Sequence, residues 1–520
     1  MSGQKLCFHM TAIDQWKLLG TTAPKVNGRS VVTGAVKYPS DIALPGMLYG
    51  KILRPPSFGA TLTAIDLSPA KAMAGVSVVQ DGNFVGCAAK NSWIAARAVS
   101  ALEQTAQWDR PQHLSSDELF DHLRRASSRP RTRSWGNGQA AFTSAQKTLE
   151  ASFTIAYIQH APMEPRAAVA EWNDGKLTVW TGSQQPSRVR SELAAAFRLS
   201  EEHVRVIVPE TGGGFGGKHT GEAAVEAARL AQAAACPVSI RWTRQEEFTW
   251  AYCRPAGVIE VQAGLNTAGR IVAWDFTNYN SGGSAIDSPY AISDGQTRFV
   301  AADSPLRQGS YRALASTANV FARESVMDEL ALATRTDPLT FRLAHLPEGR
   351  LRDVLLDAAN RFRWTARWSQ RKSGRGVGLA CGTEKGSYVA ACAEVEVSGN
   401  EIRVLSVCQA YECGAIQNPG NLRAQVESCI IMGLGGALSE EVLFKNGTIT
   451  NPSFAEYLVP RMKGVPELEI VLRDRRDLPS VGAGETPIIA IAPAIANAVC
   501  HATGARLRSM PLKMETPKTG

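Results

Sequence analysis

"VRVIVPETGGGFGGKHTGEAA", Val204 to Ala224, passes from a β-branched stretch through five glycines and a phenylalanine into an Ala-rich segment. That order predicts a strand, a tight loop and a helix, and the reading of the loop decides the fold class. As G-x-x-x-x-G-K, Gly212 to Lys218 fits a phosphate-binding loop, whose next residue must be Ser or Thr to hold magnesium; here it is His219, with Thr220 one place late. As G-x-G-x-x-G, Gly212, Gly214 and Gly217 fit a dinucleotide fingerprint, but no βαβ unit with an acidic residue about 20 positions on is apparent. Both readings share a backbone free of side chains, whose N–H groups can approach an oxygen-rich anion at a helix start. A tight turn alone explains one or two of these glycines, not five.

Outward from the loop, residues from about 140 onward are strand-rich: "KLTVWTGS", "PVSIRWT", "GVIEVQAG" and "GRIVAWDFTNYN". Helical spacing marks "SRVRSELAAAF", "TGEAAVEAARLAQAAA", "FARESVMDELALAT" and "DPLTFRLAHL", the last with Asp337 as N-cap and Pro338 in its first turn. From about Gly374 come the strands "YVAACAEVEVSG" and "EIRVLSVCQA", a helix entered at Asn418-Pro419, and an Asn446-Gly447 hairpin. Upstream, "VNGRSVVTGAVKYPSDIALPGMLYGKILRPP" reads as short strands punctuated by Gly and Pro, followed by a helix at "SWIAARAVSALEQTA". Strands and helices do not alternate strictly, so the expected class is α+β. The predicted divisions are 1–121, a linker over 122–139, 140–365, and 366–520.

With 520 residues, 44% hydrophobic and 20% charged, the chain has the composition of a soluble globular protein of several domains. A net charge of +8 admits nucleic acid as a partner, but no aromatic residues interleave with the Lys and Arg to form a stacking platform. The basic run "RRASSRPRTRSW", Arg124 to Trp135, reads as a solvated linker. The ten cysteines show no iron–sulfur or C-x-x-C spacing and read as small buried hydrophobes. The start, "MSGQKLCFHM", lacks the order of a signal peptide, so the expected location is cytoplasmic.

"VGAGETPIIAIAPAIANAV", Val481 to Val499, sets Glu485 between small residues and an almost wholly apolar run. A carboxylate in such company has either a hidden partner or a raised pKa, and the latter makes a base that works near neutral pH.

Together these motifs resemble the molybdopterin-binding large subunit of the xanthine dehydrogenase and aldehyde oxidase family, in its isoquinoline 1-oxidoreductase-like branch. The likeness runs from about Leu18 through nearly the whole chain: a hammerhead domain in 1–121, a first cofactor-binding domain in 140–365 carrying "HAPMEPRAAVAEW" and "GSQQPSRVRSELA", and a second in 366–520 carrying "GAGETPIIAIAPAIANA". The resemblance implies a molybdenum-dependent oxidation of an aldehyde or N-heteroaromatic compound. Glu485 matches the general base that takes a proton from metal-bound water, and Gln184 the glutamine hydrogen-bonded to an oxo ligand. Gly214, Phe215 and Gly216 match the loop beside the metal and pterin, and Arg312 and Gln425 match residues around the pterin. The implied cofactor is molybdopterin as its cytosine dinucleotide, the pterin sulfurs holding molybdenum without a protein ligand. Electrons must leave to another subunit, by resemblance a [2Fe-2S] protein.

Two departures bear on function. His219 stands where purine-oxidising relatives carry an acid, which disfavours purines, and "RALAS" after Tyr311 replaces a more glycine-rich run. The G-Q-G segment that grips the dinucleotide precedes the hammerhead domain in this branch, and nothing between Met1 and Leu18 supplies it. A separate chain completing the site, or a fragment that holds no cofactor, are the two expectations; export to the periplasm would then depend on a partner. A phosphate-loop nucleotide-binding protein is the third reading.

Overall fold

The computed structural model describes residues 11–126, 128–370 and 373–514; the expectations for the first ten residues, Cys7 included, lie outside them. Helices and mixed sheets segregate as the α+β class requires, in three principal sheets. The largest has seven strands in the order Val204–Ile207, Lys176–Thr181, Ala167–Asn173, Val238–Arg241, Leu48–Ile52, Phe84–Ala89 and Ser77–Asp81. Strands from the first hundred residues thus continue a sheet begun by residues 167–241, Leu48–Ile52 pairing parallel to Val238–Arg241. At the far edge, Lys176–Thr181 and Val204–Ile207 run parallel, with Trp180 opposite Ile207. Parallel neighbours leave a sheet at the same end, so Gln184 and the glycine loop are delivered side by side.

The six-stranded sheet runs Ser509–Met510, Lys147–Ile155, Gly257–Leu265, Ile271–Tyr279, Asp294–Val300 and Arg131–Trp135. The four-stranded sheet comprises Arg375–Glu384, Ser387–Ser398, Glu401–Glu412 and Glu467–Arg473. Between these two sheets one continuous core gathers the helices Ser316–Ala333 and Ile491–Thr503. The window Thr486–Thr503 has a mean hydropathy of 1.3, enough by composition to cross a membrane, yet 83% of it is buried inside the protein. It is a core helix seated close on its sheet: a Cβ on Gly378 would lie 2.2 Å from the Ala498 amide nitrogen.

Three expectations need correction. The supposed linker carries an edge strand, Arg131–Trp135, paired antiparallel to Asp294–Val300; its arginines face solvent while the backbone completes the sheet. Of the short strands expected between Val26 and Pro56, only Leu48–Ile52 forms; Gly28–Val32 is one helical turn with Val32 exposed. The strand Arg375–Glu384 had no separate signal, because its glycines and small residues, "RGVGLACGTE", answer to close helix packing rather than to alternation. The expected helices at Asp337 and Asn418 are present, each cap side chain accepting a hydrogen bond from the amide three residues on.

Candidate active site

Phe215 has φ 53°, and Gly213 and Gly216 have φ 94° and 97°, so the loop turns sharply at its aromatic residue. Backbone strain at a bulky residue persists only where the surroundings over-determine it, and here they do. Gln184 Oε1 accepts hydrogen bonds from the Gly216 and Lys218 amides at 3.0 and 3.3 Å. A Cβ on Gly214 would lie 2.5 Å from that same oxygen. Beneath the loop, Arg166 donates to the Gly217 carbonyl and Tyr252 to the Gly216 carbonyl. Lys218 is buried and donates to Glu164 at 2.7 Å, while Glu164 also accepts from the Gly212 amide at 2.8 Å.

These contacts overturn the phosphate-loop reading. Its lysine must reach a phosphate, whereas Lys218 is sequestered by Glu164, and burial pulls its ammonium below the usual range against that partner. The helix start is also taken, since the Gly221 amide donates to Glu192 at 2.7 Å. The anion-binding potential therefore lies earlier, at the turn itself. Among the described residues, the amides of Gly213, Gly214 and Phe215 have no intramolecular acceptor.

The segment from Tyr311 joins this loop to the C-terminal region. Gly216 abuts the Tyr311 backbone, and Ala313 and Leu314 adopt φ 62° and 47°, a second strained turn. Arg312, buried, spans the gap: Nε donates to the Gly484 carbonyl at 2.6 Å, one Nη to Ser428 Oγ at 2.9 Å and the other to Gln425 Oε1 at 2.8 Å. The structure thus brings Gln184, Gly214, Phe215, Gly216, Arg312, Gln425 and the Glu485 loop into one chain of contacts drawn from five separate parts of the sequence. Gln425 and Arg312 bind each other, so only the outward amide of Gln425 is available to a ligand.

Glu485 departs from expectation. Its side chain is 34% exposed and forms an ion pair with Lys385. Pro487, Ile488 and Ile489 are buried, but Ile488 and Ile489 belong to the core and do not enclose the carboxylate. Lys385, with Gly386, makes the two-residue turn between Arg375–Glu384 and Ser387–Ser398, with φ 50° and 80°. The "EKGS" turn is the signal that sequence reading missed, although the Asn446-Gly447 turn of the same type was legible. The loop around Glu485 is otherwise anchored, the Val481 amide donating to the Cys413 carbonyl at 2.9 Å and Tyr411 Oη to the Gly482 carbonyl at 3.1 Å. No atom lies within 4 Å of a Cβ built on Gly482 or Gly484, so the face beside the carboxylate is open.

His219 lies within electrostatic reach of Glu485, Lys385 and Arg188, with burial the largest influence lowering its pKa. His160 is a structural histidine: it packs under Gly217 and bonds to the Ser310 carbonyl at 2.6 Å; burial lowers its pKa to about 3, so the ring is neutral and its Nε2 donates. Cys429, buried behind the site, points its thiol at the Gly484 carbonyl, 3.6 Å away, and burial raises it to about 12.

The open amides at a strained glycine turn, a carboxamide fixed by its oxygen, and a carboxylate across an open face are a donor and acceptor set suited to an oxygen- and sulfur-rich group. The molybdopterin cofactor-binding domain family matches residues 122–346 and 353–466, and the chain belongs to the molybdopterin-binding large subunits of the xanthine dehydrogenase and aldehyde oxidase family. A nicotinate dehydrogenase subunit of Pseudomonas putida is 29% identical over 97% of this chain, and an isoquinoline 1-oxidoreductase subunit of Brevundimonas diminuta is 29% identical over 96%. The chain spans 47% of the first relative's length and 68% of the second's. In fold it is similar to quinoline 2-oxidoreductase of Pseudomonas putida 86, with a TM-score of 0.84 at 18% identity, covering 95% of this chain and 97% of that one. Aldehyde oxidoreductase of Desulfovibrio gigas also gives 0.84 at 18% identity, covering 95% of this chain and 80% of that one.

Proposed function

We propose that this chain is the catalytic subunit of a molybdenum hydroxylase that oxidises an aldehyde or N-heteroaromatic substrate, with water as the oxygen source and electrons leaving to a [2Fe-2S] partner. The observation that carries the reading is the convergence of Glu485, the Arg312 bridge and the glycine turn around donors with no internal acceptor. When bound, molybdopterin supplies two-electron oxidation at its molybdenum. The amides of Gly213, Gly214 and Phe215, which have no internal acceptor, would hold it, together with the NH2 of Gln184, whose oxygen is kept by the loop. Arg312 fixes the Glu485 loop beside that turn through the Gly484 carbonyl, and Glu485 would serve as the proton acceptor there.

The cytosine dinucleotide form of the cofactor belongs to the same proposal. Relatives named for nicotinate, isoquinoline and aldehydes support the substrate classes, and His219 argues against purines. The test is co-expression with candidate partner chains, measuring molybdenum per chain and dye-coupled oxidation. Glu485→Gln is expected to keep the metal and lose about 10² to 10⁴ of turnover. Unchanged turnover would remove Glu485 from the role of base.

A further inference from the structure

The pairing of Lys385 with Glu485 is built in rather than incidental. Thr383 Oγ1 donates to the Ser387 carbonyl at 2.9 Å, Ser387 Oγ to Thr486 Oγ1 at 2.8 Å, and Thr486 Oγ1 to the Glu384 carbonyl at 3.0 Å. The turn that carries Lys385 is thereby stapled to the residue that follows Glu485. Both charged groups remain reachable, their side chains 48% and 34% exposed. His219, whose pKa burial lowers, stands within electrostatic reach of both charges as a neutral ring, while the neighbouring Glu384 carboxylate is bound by Ser316 Oγ at 2.8 Å.

We propose that Lys385 is a specificity-determining residue: its ammonium binds an anionic group of the substrate, and in exchanging Glu485 for that group it frees the base as substrate seats. The inference rests on the proposed function, which puts the substrate at the open face beside Glu485. An exposed ion pair is weak, so one carboxylate replaces another around the same ammonium at little cost. While Lys385 donates to it, the Glu485 carboxylate is occupied by the ammonium rather than free to accept a proton at the open face. An aromatic carboxylic acid therefore activates the site as it binds, and a neutral substrate leaves Glu485 tethered.

Binding and turnover test this separately. Calorimetry of benzoate and benzamide on the full chain is compared for wild type, Lys385→Met, Lys385→Arg and Glu485→Gln. Methionine keeps the aliphatic stem at the same strained φ, so a loss of charge is isolated. Lys385→Met is expected to weaken benzoate at least tenfold relative to benzamide, and Lys385→Arg to restore most of that loss. Glu485→Gln is expected to tighten benzoate several-fold, because the internal competitor is gone. In the molybdenum-loaded complex, Lys385→Met is expected to lower the kcat/KM ratio of 4-formylbenzoate to 4-methylbenzaldehyde at least tenfold. Equal benzoate affinity in wild type and Lys385→Met, or weaker benzoate binding by Glu485→Gln, overturns the assignment. If neither aldehyde is oxidised but the binding pattern holds, the activity fails and the role of Lys385 in anion binding stands.

Discussion

Replacing Gly216 with Ala places a methyl group 2.9 Å from the Tyr311 Cα and amide nitrogen and 3.0 Å from the Ser310 carbonyl carbon, all of them backbone. Gly75 provides the control, since its φ of +71° is also left-handed but nothing lies within 4 Å of an added Cβ. Both variants incur about 1–2 kcal/mol for an L-residue in that region. Only Gly216→Ala adds overpacking, about 1–3 kcal/mol where the neighbour cannot move aside. The expected losses are thus about 2–5 kcal/mol for Gly216→Ala and about 1–2 for Gly75→Ala. Urea unfolding followed by tryptophan fluorescence reads the difference as a lower midpoint, and molybdenum content reads whether displacing Tyr311 and Arg312 opens the site. Equal midpoints for the two variants would refute the claim that the loop is pressed against a rigid backbone.

Breaking the Lys218–Glu164 pair with Lys218→Met leaves a largely buried carboxylate uncompensated and is expected to cost about 3–5 kcal/mol; a Lys218→Met, Glu164→Gln double variant recovering much of that loss in urea titrations checks it. His160 has its pKa depressed to about 3, so between that value and the ordinary 6.5 the unfolded chain takes up the extra proton. Stability should therefore fall with pH across this window, by at most about 1.4 kcal/mol per unit from this group, and His160→Gln should flatten the slope. Glu440 has the opposite sign: burial raises it to about 7 against the ordinary 4.5, so its contribution is complete below 4.5 and lost as pH rises through 7. Glu440→Gln should remove that loss, and an unchanged stability profile between pH 5 and 8 would contradict it.

Much of the site was legible because its chemistry follows local sequence. The strand before the glycine loop, the caps at Asp337 and Asn418, and the positions of Gln184 and Glu485 each have a short-range signal. Partnerships across the fold had none. Nothing between Lys385 and Glu485 in sequence announces that a hairpin tip a hundred residues upstream supplies the cation, and apolar neighbours of Glu485 along the chain turned away from it into the core. The Arg131–Trp135 strand was hidden likewise, since an edge strand with solvent-facing arginines has the composition of a linker.

The central claim is that a molybdenum cofactor seats between the glycine turn and Glu485. Anomalous scattering at the molybdenum edge, from crystals of cofactor-loaded protein, tests it most directly. A single strong peak bordered by Gln184, the Phe215 amide and the Glu485 carboxylate is the expected result; a peak elsewhere on the chain, with that face vacant, would contradict it.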